Sequence, residues 1–160
     1  MNGLMQGKKG LILGVANNRS IAYGIAKSVV DQGGTVGLTY QGEALKKRVG
    51  PIAEDLGAEV FGHCDVTDDG SMDAVFAEVS QRWGGLDFLV HAVAFSDKDE
   101  LTGRYIDTTA ENFDRTMAIS VYSLTALARR AEPLMQNGGS ILTLTYYGAE
   151  KVMPHYNVMG

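Results

Sequence analysis

Cysteine is almost missing from the 160-residue sequence: Cys64 stands alone, so no intramolecular disulfide is available and the usage fits a reducing cytosol. Basic residues are also short. Fourteen Lys and Arg against nineteen Asp and Glu leave a net charge of −5 and a pI near 5.1. That is the wrong sign for a nucleic-acid binder, because affinity for a phosphate backbone rests on clustered Lys and Arg. The one dense basic run, Lys46-Lys47-Arg48, reads as the wet face of a helix. Long hydrophobic runs are lacking too. The apolar stretch after Lys8-Lys9 is soon interrupted by Asn17-Asn18-Arg19, too short to cross a bilayer and without a cleavage site, so no membrane role is expected. Repeats, low-complexity tracts and an interdomain linker are absent as well. His63, Cys64 and Asp65 are consecutive with no second cluster. A structural zinc site takes about four spaced ligands, so no metal is expected.

Glycine, by contrast, is abundant. Twenty glycines exceed the usual share of about 7%, which suits a fold with many tight strand-to-helix turns. Five short apolar runs recur, at 10–15, 35–40, 58–63, 86–92 and 140–146. Their apolarity is continuous rather than alternating, as in strands of a parallel sheet covered on both faces. Between them lie helical periods: Ile21, Ile25 and Val29; then Met72, Val75, Phe76, Val79 and Trp83; then Phe113, Met117, Val121, Leu124 and Ala128. Each stripe is expected to face the core. Thr108-x-x-Glu111 has the form of a capping box, and Asp68 or Thr67 can cap the helix before Met72. Strand and helix alternate throughout, which predicts right-handed crossovers and a doubly wound α/β sheet.

Ligands of such sheets bind beyond the carboxyl ends of the strands. Gly14 ends the first strand, and Ser20 is placed to cap the next helix, whose free N–H groups suit a pyrophosphate; a plain strand-to-helix turn explains the same residues. Gln41 follows strand two. It is neutral and can bond hydroxyls, which leans towards NADH over NADPH. After strand three, Asp65 can accept from an adenine amino group while the Val66 N–H donates, or Asp65 is simply a turn residue. After strand four, Ala92 and Ala94 leave room for a flat ring, and His91 reads as a packed strand-end histidine. The irregular stretch 93–108 is read as an active-site loop.

These residues together resemble a family. Gly14, Ser20-Ile21-Ala22, Gln41, Cys64-Asp65-Val66, His91 with Phe95-Ser96, and above all "LTYYGAEKVMPHYNVMG" at 144–160 are similar to the NADH-dependent enoyl-(acyl-carrier-protein) reductases of bacterial type II fatty-acid synthesis. These are divergent short-chain dehydrogenase/reductases. The pattern departs from the common short-chain group: Ser20 and Ala22 stand in the later glycine places of Gly-x3-Gly-x-Gly, and Tyr-x3-Lys counted from Tyr156 lands on Gly160. The enoyl reductase pattern is instead Tyr-x6-Lys, preceded by a second tyrosine ten residues upstream, the spacing at which Tyr146 sits.

The resemblance implies a Rossmann-like fold, cut short after the fifth strand, with 1–160 the N-terminal portion of one dinucleotide-binding domain. The family's lysine would fall at position 163, so the chain alone is expected to be inactive, with an exposed sheet edge. Also implied are hydride transfer from NADH (the cofactor NAD) to a trans-2-enoyl chain on acyl carrier protein, a homotetramer and a cytoplasmic location. Residue by residue, Tyr156 would stabilise the enolate and Tyr146 relay or position. Gly14, Ser20 and Ile21 would hold the pyrophosphate, Gln41 the adenosine end, Asp65 and Val66 the adenine, and Val93 the nicotinamide. Ser96 would lie near the acyl chain. The helix carrying Met117, Ile119, Val121, Tyr122 and Leu127 is apolar on more than one side, in keeping with a tetramer. From the residues alone, a carbonyl-reducing short-chain enzyme and a non-catalytic dinucleotide binder remain as alternatives.

Overall fold

A computed structural model describes residues 3–160. Five parallel strands, β1 (Lys9–Leu13), β2 (Thr35–Tyr40), β3 (Glu59–His63), β4 (Phe88–His91) and β5 (Ser140–Thr143), form one sheet in the order β3-β2-β1-β4-β5. The chain runs outward from β1 to β3, then crosses back to place β4 on the other side of β1. Register is set along β1, with Ile12 beside Leu38 of β2 and Val90 of β4.

The apolar runs of β1, β2 and β4 are continuous because both faces of the sheet are covered there, while β3 is only partly buried and the edge strand β5 is exposed along its length. Leu11, Leu13 and Leu89 face one layer, built by α3 (Asp69–Trp83) and α5 (Ser123–Ala131). Ile12, Val36, Leu38 and Val90 face the other, built by α1 (Ile21–Asp31) and α2 (Gly42–Leu56). The doubly wound α/β architecture is thus the one expected.

Two stripes differ from the expected ones. In α1 the buried residues are Ala22, Ala26 and Val29, while Ile21 is 67% exposed. The helix is turned by one residue, and the small alanines let it lie close to the sheet. The second difference is larger. Between α4 (Ala110–Met117) and α5 lies a π-helical turn, Ala118–Tyr122. Along this stretch Phe113, Met117 and Val121 point outward, 42%, 39% and 52% exposed, while Asn112, Thr116 and Ser123 are buried. A polar inward face is tolerable only where each group is hydrogen-bonded, and these are. Met72, Val75, Phe76 and Val79 are buried as expected.

Caps were placed almost correctly. Asp68 caps α3 by accepting from the Gly70 N–H. For α4 the cap is Thr109 rather than Thr108, and it accepts from the Asn112 N–H at 3.2 Å. Its carboxylate partner is Glu100, bound to the Thr109 N–H and hydroxyl at 3.0 and 2.7 Å. Glu111 pairs with Arg115 instead.

The Phe88 ring lies flat against Gly10, where a Cβ would overlap it, and Phe88 is itself buried. Gly10→Ala is therefore expected to lower unfolding stability by about 1–3 kcal/mol, the range for overpacking a core. The measurement is the urea midpoint at unchanged slope.

Candidate dinucleotide cleft

The strand order reverses between β1 and β4, and the adjoining loops leave a cleft of about 410 Å³ at their carboxyl ends. Its floor comes from four strand ends: Gly14 after β1, Gln41 after β2, Asp65 and Val66 after β3, and Val93 after β4. Arg115 and Ile119, from α4 and the π turn, close one side. Gly14 has φ of +103°, and a Cβ there would overlap the Ala92 carbonyl oxygen. Only glycine leaves β1 beside the end of β4.

Asp65 is strongly organised. One carboxylate oxygen accepts from the Thr67 N–H and hydroxyl at 2.9 and 2.7 Å; the other accepts from Gln41 Nε2 at 3.0 Å. Burial alone would raise its pKa, but the hydrogen bonds from Thr67 and Gln41 outweigh it and hold the carboxyl below its ordinary value. The donated Nε2 hydrogen orients the Gln41 amide. Lys46, in the first turns of α2, pairs with Glu43 at 3.2 Å and lies 5.9 Å from the Tyr40 ring centre.

Ser20 and Ile21 do not line the cleft. Ser20 occupies the N-cap position of α1, but its hydroxyl donates to the Asn17 carbonyl at 2.6 Å rather than capping the helix. The first turn of α1 also carries no acidic residue, so the positive end of the helix is not neutralised locally. Ser96 is turned into the loop, where its hydroxyl accepts from Thr116 and from the Asn112 amide. Tyr146 and Tyr156 lie outside the cleft lining but meet each other, with ring centres 4.7 Å apart at 44°. Left-handed backbone flanks Tyr156, at His155 (φ 60°) and Asn157 (φ 34°).

Cys64 lines the cleft though it is almost fully buried, and His91 is buried outside the lining. Burial, with Asp65 adding, pushes the Cys64 thiol up to about 11, so it stays protonated at neutral pH. His63 accepts the Gly42 N–H on Nδ1 at 3.1 Å. Among the described residues no three His, Cys, Asp or Glu are grouped to hold a metal, and no helix is long and apolar enough to cross a membrane.

His91 sits in a directed chain of hydrogen bonds. The Ser123 hydroxyl donates to the Ile119 carbonyl at 2.6 Å, so its oxygen must accept from His91 Nε2–H, 2.7 Å away. Nδ1 is then bare and accepts from the Thr143 hydroxyl at 3.0 Å. Asn112, Arg115, Thr116, Ser120 and Asn157 were not picked out from the sequence. The one signal for them was polar residues at 112, 116 and 120, every fourth place on a helix.

A family model described as enoyl-(acyl carrier protein) reductase matches residues 14–160. The sequence is 67% identical over 159 residues to enoyl-(acyl-carrier-protein) reductase (NADH) 1 of Rhizobium meliloti (strain 1021), covering 99% of this chain and 58% of that one. Among solved structures, the Anaplasma phagocytophilum reductase in complex with NAD is 61% identical with a TM-score of 0.97, over 100% of this chain and 61% of that one. The Bacillus cereus enoyl-acyl carrier protein reductase with NADP+ and indole naphthyridinone is 43% identical with a TM-score of 0.96, over 99% and 62%. The chain therefore spans about three-fifths of the length of these relatives.

Burial lowers the His91 pKa from 6.5, outweighing the backbone hydrogen bond that raises it. The unfolded imidazole thus takes up a proton before the folded one, and stability falls as pH drops through 6.5 towards the folded value. Asp65, Asp87 and Glu100, all held below their ordinary values, lose their contributions at lower pH. Unfolding free energy is expected to decline between about pH 7 and pH 5. In His91→Gln the decline over that interval should be absent; an unchanged slope would assign it to other groups.

Proposed function

Because the chain belongs to the enoyl-(acyl carrier protein) reductase family, we propose that the protein reduces trans-2-enoyl thioesters carried on acyl carrier protein, using NADH. The observation that carries this reading is the cleft at the β1/β4 reversal, where the ends of four strands converge on one space. The residues fit a dinucleotide. Asp65 is ionised, oriented and supplied with a neutral partner at Gln41, a pairing suited to an adenosine with free hydroxyls. Gly14 lets backbone approach the pyrophosphate, with the uncapped start of α1 at Ser20 and Ile21 adding positive potential. Val66 borders the adenine end, and Val93 with Ala94 the nicotinamide end.

Bound NADH supplies the hydride for the β-carbon of the enoyl chain. What the protein must add is stabilisation of the negative charge that then develops on the thioester oxygen. Tyr156 takes this role as a phenol donor, with the Tyr146 ring packed against it as relay or positioning group. Ser96, in the loop between the cleft and α4, belongs to the wall beside the acyl chain. The outward apolar residues Phe113, Met117, Val121 and Tyr122 support a homotetramer. The acyl carrier protein is the macromolecular partner.

The test is NADH oxidation by the polypeptide carrying this chain, with enoyl and 3-ketoacyl thioesters compared. Turnover of the enoyl substrate is expected, with Tyr156→Phe lowering kcat by about 10²-fold or more, as for loss of a positioned acid. Preference for the ketoacyl substrate would overturn the reading in favour of carbonyl reduction, and failure to bind NADH would overturn it altogether. At the adenosine end, Gln41→Arg places a cation beside the ribose and breaks the bond to Asp65. Ratios of kcat/KM for NADPH over NADH are expected to rise at least about tenfold.

A further inference from the structure

The loop after β4 is held against α4 and the π turn by a ladder of contacts. The Ser120 hydroxyl accepts from the Phe95 N–H at 3.0 Å and donates to the Phe95 carbonyl at 3.2 Å, holding both main-chain groups of one residue. One turn earlier the Thr116 hydroxyl donates to Ser96 Oγ at 3.0 Å. A turn before that, Asn112 Oδ1 accepts from the Asp97 N–H at 2.9 Å, and Arg115 grips the Asp97 carboxylate at 2.9 and 3.1 Å. Residues 120, 116 and 112 thus hold 95, 96 and 97 in turn. Every fourth residue of an α-helix drifts by roughly 40° around the axis. The π turn at 118–122 puts more residues in each turn and offsets that drift, keeping Ser120 in line with Thr116.

The far end of the same loop reaches the tyrosines. Asn157, next to Tyr156, donates through Nδ2 to the Glu100 carbonyl at 2.8 Å and the Thr102 carbonyl at 3.2 Å. One segment therefore contributes Phe95 to the cleft wall and anchors the neighbour of Tyr156. We infer that Ser120 is a positioning residue whose grip on the Phe95 main chain sets the Tyr156 segment relative to the cofactor cleft. This rests on the function proposed above. Its effect falls on alignment for the chemical step. The adenosine end of the cleft, built from the ends of β2 and β3, does not depend on it.

The test compares Ser120→Ala, Ser120→Thr and Ser120→Val in the polypeptide that carries this chain. Ala and Val are expected to lower kcat for the enoyl thioester at least about tenfold, since small misplacements of reacting groups carry large rate losses. NADH dissociation constants should stay within about twofold of the parent, and Thr, which keeps the hydroxyl, should recover most of kcat. Equal losses in all three, or loss of NADH affinity in step with kcat, would reduce Ser120 to a general structural role and overturn the inference. A second readout needs no turnover: amide hydrogen exchange at Phe95, whose N–H donates to the Ser120 hydroxyl, should quicken in Ser120→Ala while Leu11 and Leu89 stay protected. Unchanged exchange at Phe95 overturns the inference even if enoyl reduction itself is not found. Absence of turnover in the parent, with exchange altered as expected, would count against the proposed function alone.

Discussion

The close passage of Gly14 beside the Ala92 carbonyl is the constraint on which the cleft depends. Strand β1 is central in the sheet, with β2 on one side and β4 on the other, and its exit must clear both neighbours. A left-handed glycine turns the chain there without a Cβ that would push the end of β4 away. The helices then leave to opposite faces, and the space between them is the cleft. Its shape is thus a consequence of sheet topology plus one missing methyl group, and the side chains that follow each strand are delivered to it automatically.

Holding the loop at its border required a different kind of interaction. Asn112, Thr116 and Ser123 are buried polar groups, each of which would cost free energy if left unpaired. Here they are satisfied by the Asp97 main chain, by Ser96 and by His91. Such a network specifies one arrangement of the loop, because a shift by one residue would strand several donors at once. An apolar face would have packed tightly against the loop but without choosing a register. The same polar seam turns Phe113, Met117 and Val121 outward, so the ordering of the loop and the exposed apolar face of α4 have a common cause.

This explains what could be read from the sequence. All five strands were legible as apolar runs; for β1, β2 and β4 burial on both faces forces that continuity, whereas β3 is only partly buried and β5 is exposed along its length. Gly14, Gln41, Asp65, Val66 and Val93 were placed together for a simple reason: each lies within three residues of the end of a strand of a parallel sheet, so topology alone delivers it to one end. The stripe of α4 was misread because hydrophobicity stood in for burial, and at Asn112 and Thr116 the inward face is polar. In α1 the error was one residue, since alanine at 22 and 26 carries a weaker hydrophobic signal than isoleucine at 21 and 25. The Ser20 cap failed because a local hydroxyl-to-carbonyl bond with Asn17 competed with it. The pairing of Tyr146 with Tyr156 is a contact across ten residues of irregular backbone, which no periodicity encodes.

The chemistry of the cleft walls limits what the protein itself can contribute there. Cys64 remains a protonated thiol, Asp65 is ionised with both oxygens engaged, and Arg115 is held by Asp97 and Glu111. Each is well suited to binding and poorly suited to moving a proton. His91 is the one buried imidazole, and both its nitrogens are committed to Thr143 and Ser123. The two tyrosines proposed for proton donation, Tyr146 and Tyr156, stand outside the lining on a segment tied to the loop through Asn157. In the proposed function, binding and proton donation fall to separate parts of the structure, joined through residues 95–102. Under that proposal the precision of that joint, rather than the reactivity of any residue in the cleft, is the requirement for catalysis.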